Sequence, residues 1–358
     1  MSDILEIKSY KRQYYVKHID NLKTVDIILK DDFVIIDKNV YNLYPELKNK
    51  LGKRIYLLEA NENNKCLNQA ETIIAALVEG GFKKNHRLVA IGGGVTQDVV
   101  GFVASVLYRG VEWIFFPTTL LAQADSCIGS KTSINFNGVK NLLGTFYPPS
   151  NIYCCREFLT TLSQEDIKSG IGEMLHYFLI YDLEKAEEMM LQYEEITTGQ
   201  YDLLNKYIKA SLAMKKQIIE IDEFDSGVRR LYNYGHTFGH AIETITNYKI
   251  CHGQAVTLGM DIANFVSYRM NLIEKPLYDR LHSILKSNMP EYEISHDNID
   301  RYMKLLSKDK KNIDNSIVCI LPTAEEKVEV KEISDKQTLK NYVNEYFERR
   351  EDEHSKEQ

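Results

Sequence analysis

Residues 86–119 have the sequence HRLVAIGGGVTQDVVGFVASVLYRGVEWIFFPTT, and this stretch decides the fold. An apolar strand ends in three glycines, a helix rich in small residues follows, and a second strand ends in Pro117, Thr118 and Thr119. This order predicts a βαβ unit of a parallel sheet, with ligands at the carboxyl ends of the strands. Gly92 to Gly94 allow backbone N–H groups to approach a phosphate. The turn lacks the G-x-G-x-x-G fingerprint, so a turn without a ligand is the alternative.

Outside this stretch the chain divides into two predicted parts. VDIILK, DDFVIID and KRIYLLEA predict strands in the first part, and residues 68–81 predict a helix ending in Gly-Gly. Beyond residue 150 helical periodicity dominates. We therefore expect an α/β protein with a Rossmann-like parallel-sheet domain over residues 1–150, a mostly α-helical domain over 151–342 and a charged, frayed tail over 343–358.

The composition limits the classes of function. A chain of 358 residues with 44% hydrophobic residues suits two full-sized domains. A net charge of −7 argues against nucleic acid as the main partner, because phosphate-backbone binding needs a basic face. No apolar run long enough for a membrane span and no signal peptide are evident, so we expect a cytoplasmic protein with no membrane partner. The six cysteines form no Cys-x-x-Cys pair and are interpreted as reduced thiols.

A histidine-rich segment, RRLYNYGHTFGHAIETITNYKICHG, begins at Arg229 and includes His236, His240 and His252. His236 and His240 stand four residues apart, so a helix presents them on one face. Imidazole is the commonest ligand of zinc-like metals, and a metal site is the first hypothesis. The alternative is a helix with two ordinary histidines.

Glu173 lies in GIGEMLHYF, an apolar helical stretch that also carries His176 three residues later. A carboxylate on an apolar face needs a partner or a metal to offset its burial, and an exposed helix face is the alternative. Asp125, Lys131, Lys140 and nearby glycines suit an anionic, hydroxylated substrate, although solvated lysines are the simpler interpretation.

Eight sequence blocks occur in order between about residues 35 and 325. They are GGGVTQDVVGF, YRGV, PTTLLAQADSCIGSKTSIN, KNLLGTFYPP, SGIGEML, NYGHTFGHAIE, HGQAV and DKK. With these blocks the chain resembles the 3-dehydroquinate synthases and their relatives, the sugar phosphate cyclases. The resemblance implies NAD in the first domain and a divalent metal in the second, with Zn2+ expected and Co2+ as an alternative.

The resemblance also implies roles for individual residues. The metal ligands would be Glu173, His236 and His252, which corrects the local hypothesis because His240 would face the substrate. The other residues implied at the substrate are Asp125, Lys131, His176, Lys215, Arg229, Asn233 and His240, with Arg109, Asn141, Lys310 and Lys311 at its phosphate. The NAD contacts implied are Asp37, Glu62, Lys65, Gly93, Gly94, Asp98, Thr118, Thr119, Lys140 and Thr161.

The implied reaction belongs to the shikimate pathway of aromatic amino acid biosynthesis. NAD+ oxidises a hydroxyl of 3-deoxy-D-arabino-heptulosonate 7-phosphate, phosphate leaves by β-elimination, the hydride returns, and an intramolecular aldol step closes the carbocycle. Lys215 and Arg229 match the pair that holds the substrate carboxylate. Arg109 resembles an arginine that reaches across a dimer interface, which implies a homodimer.

Four positions depart from the family pattern and keep other functions open. His176 stands where the synthases have lysine, while Gln97, Ser130 and Val139 stand where they have glycine. One alternative is a cyclase of secondary or cell-surface metabolism that acts on another heptulose phosphate. A second is a metal- and NAD-dependent polyol or alcohol dehydrogenase, and a third is an inactive ligand-binding relative.

Overall fold

The computed structural model describes residues 4–22, 27–292, 298–307, 312, 316–324 and 327–357. Contacts divide the chain into two compact units, the first formed by residues 1–170 and 199–225 and the second by residues 171–198 and 226–358. The strands are β1 (Ile4–Ile7), β2 (Tyr14–Ile19), β3 (Phe33–Asp37), β4 (Ile55–Leu58), β5 (Arg87–Gly92), β6 (Glu112–Pro117), β7 (Lys131–Phe136), β8 (Val139–Phe146), β9 (Asn151–Cys155), β10 (Ile317–Thr323) and β11 (Lys327–Ile333). The helices are α1 (Lys38–Leu43), α2 (Pro45–Lys50), α3 (Leu67–Glu79), α4 (Gly94–Val106), α5 (Gln164–Tyr181), α6 (Leu183–Leu191), α7 (Tyr193–Thr197), α8 (Tyr201–Ile219), α9 (His236–Ile245), α10 (His252–Arg269), α11 (Lys275–Lys286), α12 (Ile299–Leu306) and α13 (Lys336–Glu357).

The first unit is built on a seven-stranded sheet in the order β1-β2-β9-β6-β5-β3-β4. Only β1 and β2 pair antiparallel in this sheet, and the remaining pairs are parallel, which confirms the predicted parallel sheet. β3, β5 and β6 are almost wholly buried, as expected for central strands covered on both faces. The path from β4 to β5 passes over β3, so the strand order reverses between β3 and β5. Ligands of open α/β sheets bind at such a reversal, beside the carboxyl ends of the two strands.

The segment VDIILK is not a strand in the part that the structure describes. Residues 25 and 26 lie outside the described residues, and residues 27–30 include a bend and a turn but no strand. The Asp32 side chain accepts a hydrogen bond from the Leu29 backbone N–H at 2.7 Å and pairs with Arg87 at 2.7 Å. Ile27 and Ile28 still pack against the core of the sheet. Burial explains their apolar character without a strand.

Residues 199–225, which include α8, belong to the first unit rather than to the helical one. The Ser211 hydroxyl donates to the Ala124 carbonyl at 2.9 Å, and the Lys8 backbone N–H donates to the Glu220 carboxylate at 2.9 Å. The division therefore differs from the single boundary predicted at residue 150. Helical periodicity identifies a buried face but not the surface against which it packs.

The second unit contains the remaining helices from Ile171 onward and the antiparallel hairpin of β10 and β11. The predicted frayed tail over 343–358 is instead part of α13 as far as Glu357. Val343, Tyr346 and Phe347 are buried, and the Tyr346 hydroxyl donates to the buried carboxylate of Asp261 at 2.6 Å. These residues form an apolar stripe on one face of α13, which is hard to recognise in the sequence because most of the residues around it are charged. No helix among the described residues is long and apolar enough to span a membrane.

Candidate active site

Three side chains of the second unit converge to form a candidate metal centre. Glu173 comes from α5, His236 is the first residue of α9, and His252 is the first residue of α10. The Glu173 Oε1 atom lies 3.1 Å from His252 Nε2 and 3.7 Å from His236 Nε2. One ligand atom from each residue lies within 4.8 Å of the other two. Two imidazoles and one carboxylate form a common donor set of catalytic zinc sites, which leave a fourth position for water or substrate.

Small residues make this convergence possible. A Cβ atom on Gly172 would stand 2.0 Å from the Gly253 carbonyl oxygen, so only glycine lets α5 approach the start of α10 this closely. That approach brings Glu173, the next residue, to His252. Gly235 precedes α9 with φ +78°, a left-handed conformation that favours glycine and sets the direction in which His236 enters the helix.

The far nitrogen of each imidazole is held by an oxygen acceptor. His236 Nδ1 lies 3.1 Å from the Tyr234 carbonyl oxygen, and His252 Nδ1 lies 3.2 Å from Glu243 Oε2. An oxygen acceptor at Nδ1 fixes the proton there and leaves the Nε2 lone pair free to bind a metal. Both Nε2 atoms face Glu173. The residues therefore fit a divalent metal in ligand type, tautomer and outer hydrogen bonding.

Two carboxylates act on the pKa of His252. Burial on its own would lower the pKa of this imidazole, but the hydrogen bonds to Glu173 and Glu243 outweigh burial and raise its pKa well above the usual value. The additional proton lies on Nε2, between His252 and Glu173, where a metal ion would bind. Metal binding therefore has to release that proton.

His240, the second histidine of the local His-x-x-x-His hypothesis, belongs to a different group. Its ring lies 5.4 Å from the ring of His236, and it is exposed. Its ligand atom groups instead with those of Glu243 and His252, again within 4.8 Å. The structure thus places His240 beside the Glu173 group rather than in it.

His176 is fully buried in an aromatic environment. Its ring lies 4.8 Å from that of Tyr177, 5.8 Å from that of Tyr232 and 5.2 Å from that of His236. Among the described residues His176 belongs to neither group able to hold a metal. His176 therefore packs against the ring of His236, outside both groups.

In the first unit the glycine turn joins β5 to α4 as predicted. Gly93 is the N-terminal cap of α4, and a Cβ atom there would stand 2.9 Å from the Thr119 side chain. The Thr118 backbone N–H donates to the Gly92 carbonyl at 3.0 Å. The turn and the two threonines therefore meet at one edge of the sheet, where Gly94 begins a helix whose free N–H groups suit a phosphate.

Asp98, one turn into α4, forms an ion pair with Lys65. Lys65 Nζ lies 2.5 Å from Asp98 Oδ2, and the Ser133 backbone N–H donates to Asp98 Oδ1 at 2.9 Å. Burial raises the pKa of Asp98, and Lys65 opposes that rise. The pair fixes the loop that carries Lys65 against the helix that follows the glycine turn.

The remaining predicted NAD contacts are distributed over the first unit. Asp37 ends β3 beside the strand-order reversal, and burial raises the pKa of its carboxyl despite hydrogen bonds from backbone N–H groups. Glu62 accepts a hydrogen bond from the Asn135 amide at 2.8 Å, and Thr161 bonds a tyrosine hydroxyl at 2.8 Å. Lys140 is exposed on β8.

Asp125 and Lys215 form a second ion pair in the first unit. Lys215 Nζ lies 2.8 Å from Asp125 Oδ1 and donates to the Asp125 carbonyl at 2.7 Å. Lys131 pairs with Asp225 at 2.6 Å, and Asn141 accepts from the Ser133 hydroxyl at 2.9 Å. The predicted substrate residues of this unit therefore already have polar partners that fix their positions.

Gln97 has a clear structural role at one of the positions that depart from the family pattern. Its Nε2 donates to the Ser126 carbonyl at 2.5 Å, and the Ser126 hydroxyl donates to its Oε1 at 2.7 Å. This double contact joins α4 to the residue after Asp125. At another such position the Ser130 hydroxyl donates to the Glu223 carboxylate at 2.5 Å. Nothing in the structure explains exposed Val139.

Replacing Gln97 with alanine is expected to lower the free energy of unfolding by about 1–3 kcal/mol, because the part-buried Ser126 carbonyl and hydroxyl lose their partners. Urea denaturation measures the change. Val139→Ala is the matched control at an exposed departure and is expected to stay within about 0.5 kcal/mol of the wild type. Equal stability of the two variants would contradict the role of Gln97.

The other predicted residues lie as follows. Arg109 is exposed and has a left-handed backbone, φ 63°, three residues after the end of α4. Arg229 is buried in the short 3-10 helix Val228–Asn233, and the Asn233 amide donates to the Arg230 carbonyl at 3.0 Å. Lys310 and Lys311 lie outside the described residues.

Sequence reasoning missed four residues that form hydrogen bonds or ion pairs with residues it had singled out. They are Glu243, Ser126, Glu223 and Asp225. Glu243 stands inside the quoted block NYGHTFGHAIE, seven residues after His236, but received no role. Only the fold brings it to His252. The partners of Lys131 and Ser130 occur about ninety residues later in the chain, where no local pattern connects them.

Solved structures share the fold over nearly the whole chain. 2-Deoxy-scyllo-inosose synthase complexed with carbaglucose-6-phosphate, NAD+ and Co2+ aligns with a TM-score of 0.84 at 23% identity, covering 96% of this chain and 99% of its own. 2-Epi-5-epi-valiolone synthase from Streptomyces hygroscopicus, with NAD+ and Zn2+, aligns with a TM-score of 0.82 at 23% identity, covering 94% and 97%. At this level of identity the likeness shows the fold alone.

Sequence comparison is more specific. The family models described as 3-dehydroquinate synthase N-terminal and C-terminal match residues 55–169 and 170–312. A relative named 3-dehydroquinate synthase from Clostridium tetani is 39% identical, covering 86% of this chain and 84% of its own length. Another of that name from Alkaliphilus oremlandii is 36% identical, covering 87% and 88%. The chain belongs to the 3-dehydroquinate synthase family.

Proposed function

We propose that this protein is a 3-dehydroquinate synthase that converts 3-deoxy-D-arabino-heptulosonate 7-phosphate to a carbocycle with release of phosphate. The observation that carries the proposal is the convergence of the His236 and His252 Nε2 atoms on Glu173, with both Nδ1 atoms held by oxygen acceptors. Relatives that cover most of this chain are named for this activity. Under this proposal Glu173, His236 and His252 hold a divalent metal, and the first unit holds NAD.

When bound, the metal supplies Lewis-acid polarisation of substrate oxygens, and NAD+ supplies a recyclable hydride acceptor. The chain contributes the rest. The glycine turn and the N-terminus of α4 bind the pyrophosphate, and the pair of Lys65 with Asp98 keeps that helix in place. Asp125, fixed by Lys215, is positioned to accept a hydrogen bond from a substrate hydroxyl.

Positive charge supports the choice of a carboxylated substrate. Lys215 and Arg229 are both buried cations, and cations are among the groups that bind a carboxylate most strongly. Both match positions that hold the substrate carboxylate in the family. In the proposal His240, Asn233, Lys131 and Asn141 bind the remaining oxygens and the phosphate, together with a lysine at position 310 or 311.

The proposal includes a cytoplasmic homodimer. Arg109 supports the dimer because its guanidinium is exposed on a left-handed backbone turn and is available to a second copy. All six cysteines are free thiols, as expected in a reducing compartment. Sedimentation of the purified protein tests the dimer.

A coupled assay tests the activity. Purified protein with NAD+ and Zn2+ or Co2+ is expected to release one phosphate per molecule of 3-deoxy-D-arabino-heptulosonate 7-phosphate, with no net rise of absorbance at 340 nm. Stoichiometric NADH accumulation would indicate a dehydrogenase instead. Phosphate release from another heptulose phosphate, and none from this substrate, would indicate a different sugar phosphate cyclase. Either result would overturn the proposal.

A further inference from the structure

We propose a second divalent-cation site, formed by His240, Glu243 and His252, whose occupation inhibits the enzyme when metal is in excess. The site shares His252 with the Glu173 group but is otherwise separate from it. The binding proposal stands on geometry, whereas the inhibition rests on the proposed function of the Glu173 group.

The three residues are brought together by two helices of the second unit. His240 and Glu243 stand three residues apart on α9 and therefore lie on one face. His252 begins α10, and its ring lies 5.7 Å from that of His240. One ligand atom from each residue lies within 4.8 Å of the other two. His240 is exposed, so a hydrated cation reaches the group directly from solvent.

The donor set suits the same metals as the Glu173 group. It again consists of two imidazoles and one carboxylate, which borderline metals such as Zn2+ and Co2+ prefer. His252 Nε2 is 3.1 Å from Glu173 Oε1, and its Nδ1 is 3.2 Å from Glu243 Oε2. Each ring nitrogen therefore already faces a carboxylate oxygen, and each can serve a different cation.

Binding of the second cation has a defined chemical cost. The cation takes the place of the Nδ1 proton between His252 and Glu243, and this proton passes to solvent. With both sites filled, each ring nitrogen of His252 would serve one cation, and Glu243 would no longer orient the ring by a hydrogen bond. His240 is withdrawn from the substrate at the same time. Excess metal is therefore expected to lower turnover.

Equilibrium dialysis with Zn2+ tests the site without any activity measurement. We expect two bound zinc ions per wild-type chain, one in His240→Asn and one in Glu173→Gln. These counts apply at a zinc concentration that just fills the second site of the wild type, because loss of a direct ligand in His240→Asn is expected to weaken the second dissociation constant by more than the about 10-fold typical of an outer-shell partner. One bound zinc in the wild type, or two in His240→Asn, would overturn the second site.

A zinc titration of wild-type turnover tests the inhibition. Activity is expected to rise to one equivalent and then fall as the second ion binds. Constant activity up to saturation of the second ion would overturn the inhibition. Complete absence of turnover at every zinc concentration would overturn the proposed function instead, while the dialysis still decides whether the second site exists.

Discussion

Replacing Glu173 with glutamine is expected to lower kcat/KM for phosphate release by about 10³-fold or more, because it removes the anionic ligand of the proposed metal centre. Glu173 contributes the oxygen that both His236 Nε2 and His252 Nε2 face, at 3.7 and 3.1 Å. A carboxamide is neutral and binds zinc-like metals poorly, and two imidazoles alone leave the coordination incomplete. The measurement is the rate of phosphate release as a function of Zn2+ concentration for the variant and the wild type.

Glu243→Gln is the matched control for this change. It makes the same carboxylate-to-carboxamide replacement at a residue that faces the far nitrogen of His252, at 3.2 Å, and belongs to the proposed second site rather than to the Glu173 group. An outer-shell partner of this kind typically changes metal affinity or activity by about 10–100-fold. Glu173→Gln should therefore be the more damaging variant at zinc concentrations below those that fill the second site. Equal damage from the two variants would contradict the assignment of Glu173 as a direct ligand.

The parts of the fold that follow from local pattern were predictable from sequence. Residues 86–119 form β5, α4 and β6 as expected, because apolar runs and a glycine turn specify a βαβ unit whatever surrounds it. The strand predicted over VDIILK is wrong in its described part, because Asp32 closes a turn there. Apolar residues can be buried without forming a strand, and periodicity does not distinguish the two cases.

The site shows the same division between local and distant information. His236 and His240 suggested a metal pair through their spacing, yet the structure groups His236 with Glu173, sixty-three residues earlier in the chain. The local pattern indicated that Glu173 needs a partner or a metal, but only the family resemblance joined it to His236. The role of Gln97 could be identified only from the fold, because its partner Ser126 lies 29 residues later in the chain, beyond β6. The metal ligands themselves stay a prediction that the zinc measurements test.

Replacing Lys65 with methionine is expected to lower the free energy of unfolding by about 3 kcal/mol at neutral pH, because it leaves the Asp98 carboxylate without its ion-pair partner. This estimate is at the lower end of the cost of breaking a buried pair, since 21% of the Asp98 side chain is exposed. Affinity for NAD+ should fall as well, because the pair holds α4 behind the glycine turn. Urea denaturation and NAD+ titration measure the two effects.

The pH dependence of the Lys65→Met variant identifies Asp98 as the cause. Burial already raises the pKa of Asp98, and loss of the opposing lysine raises it further. The folded variant then binds a proton more readily than the unfolded chain, so its stability falls as pH rises from about 4, the ordinary aspartate pKa, through the raised folded value. The deficit relative to wild type should be smallest near pH 4 and largest at neutral pH.

The double variant Lys65→Met/Asp98→Asn should recover most of the loss, because asparagine keeps the acceptor for the Ser133 N–H and carries no charge. A deficit that is independent of pH, or a double variant no more stable than the single one, would show that Lys65 stabilises this unit by packing alone.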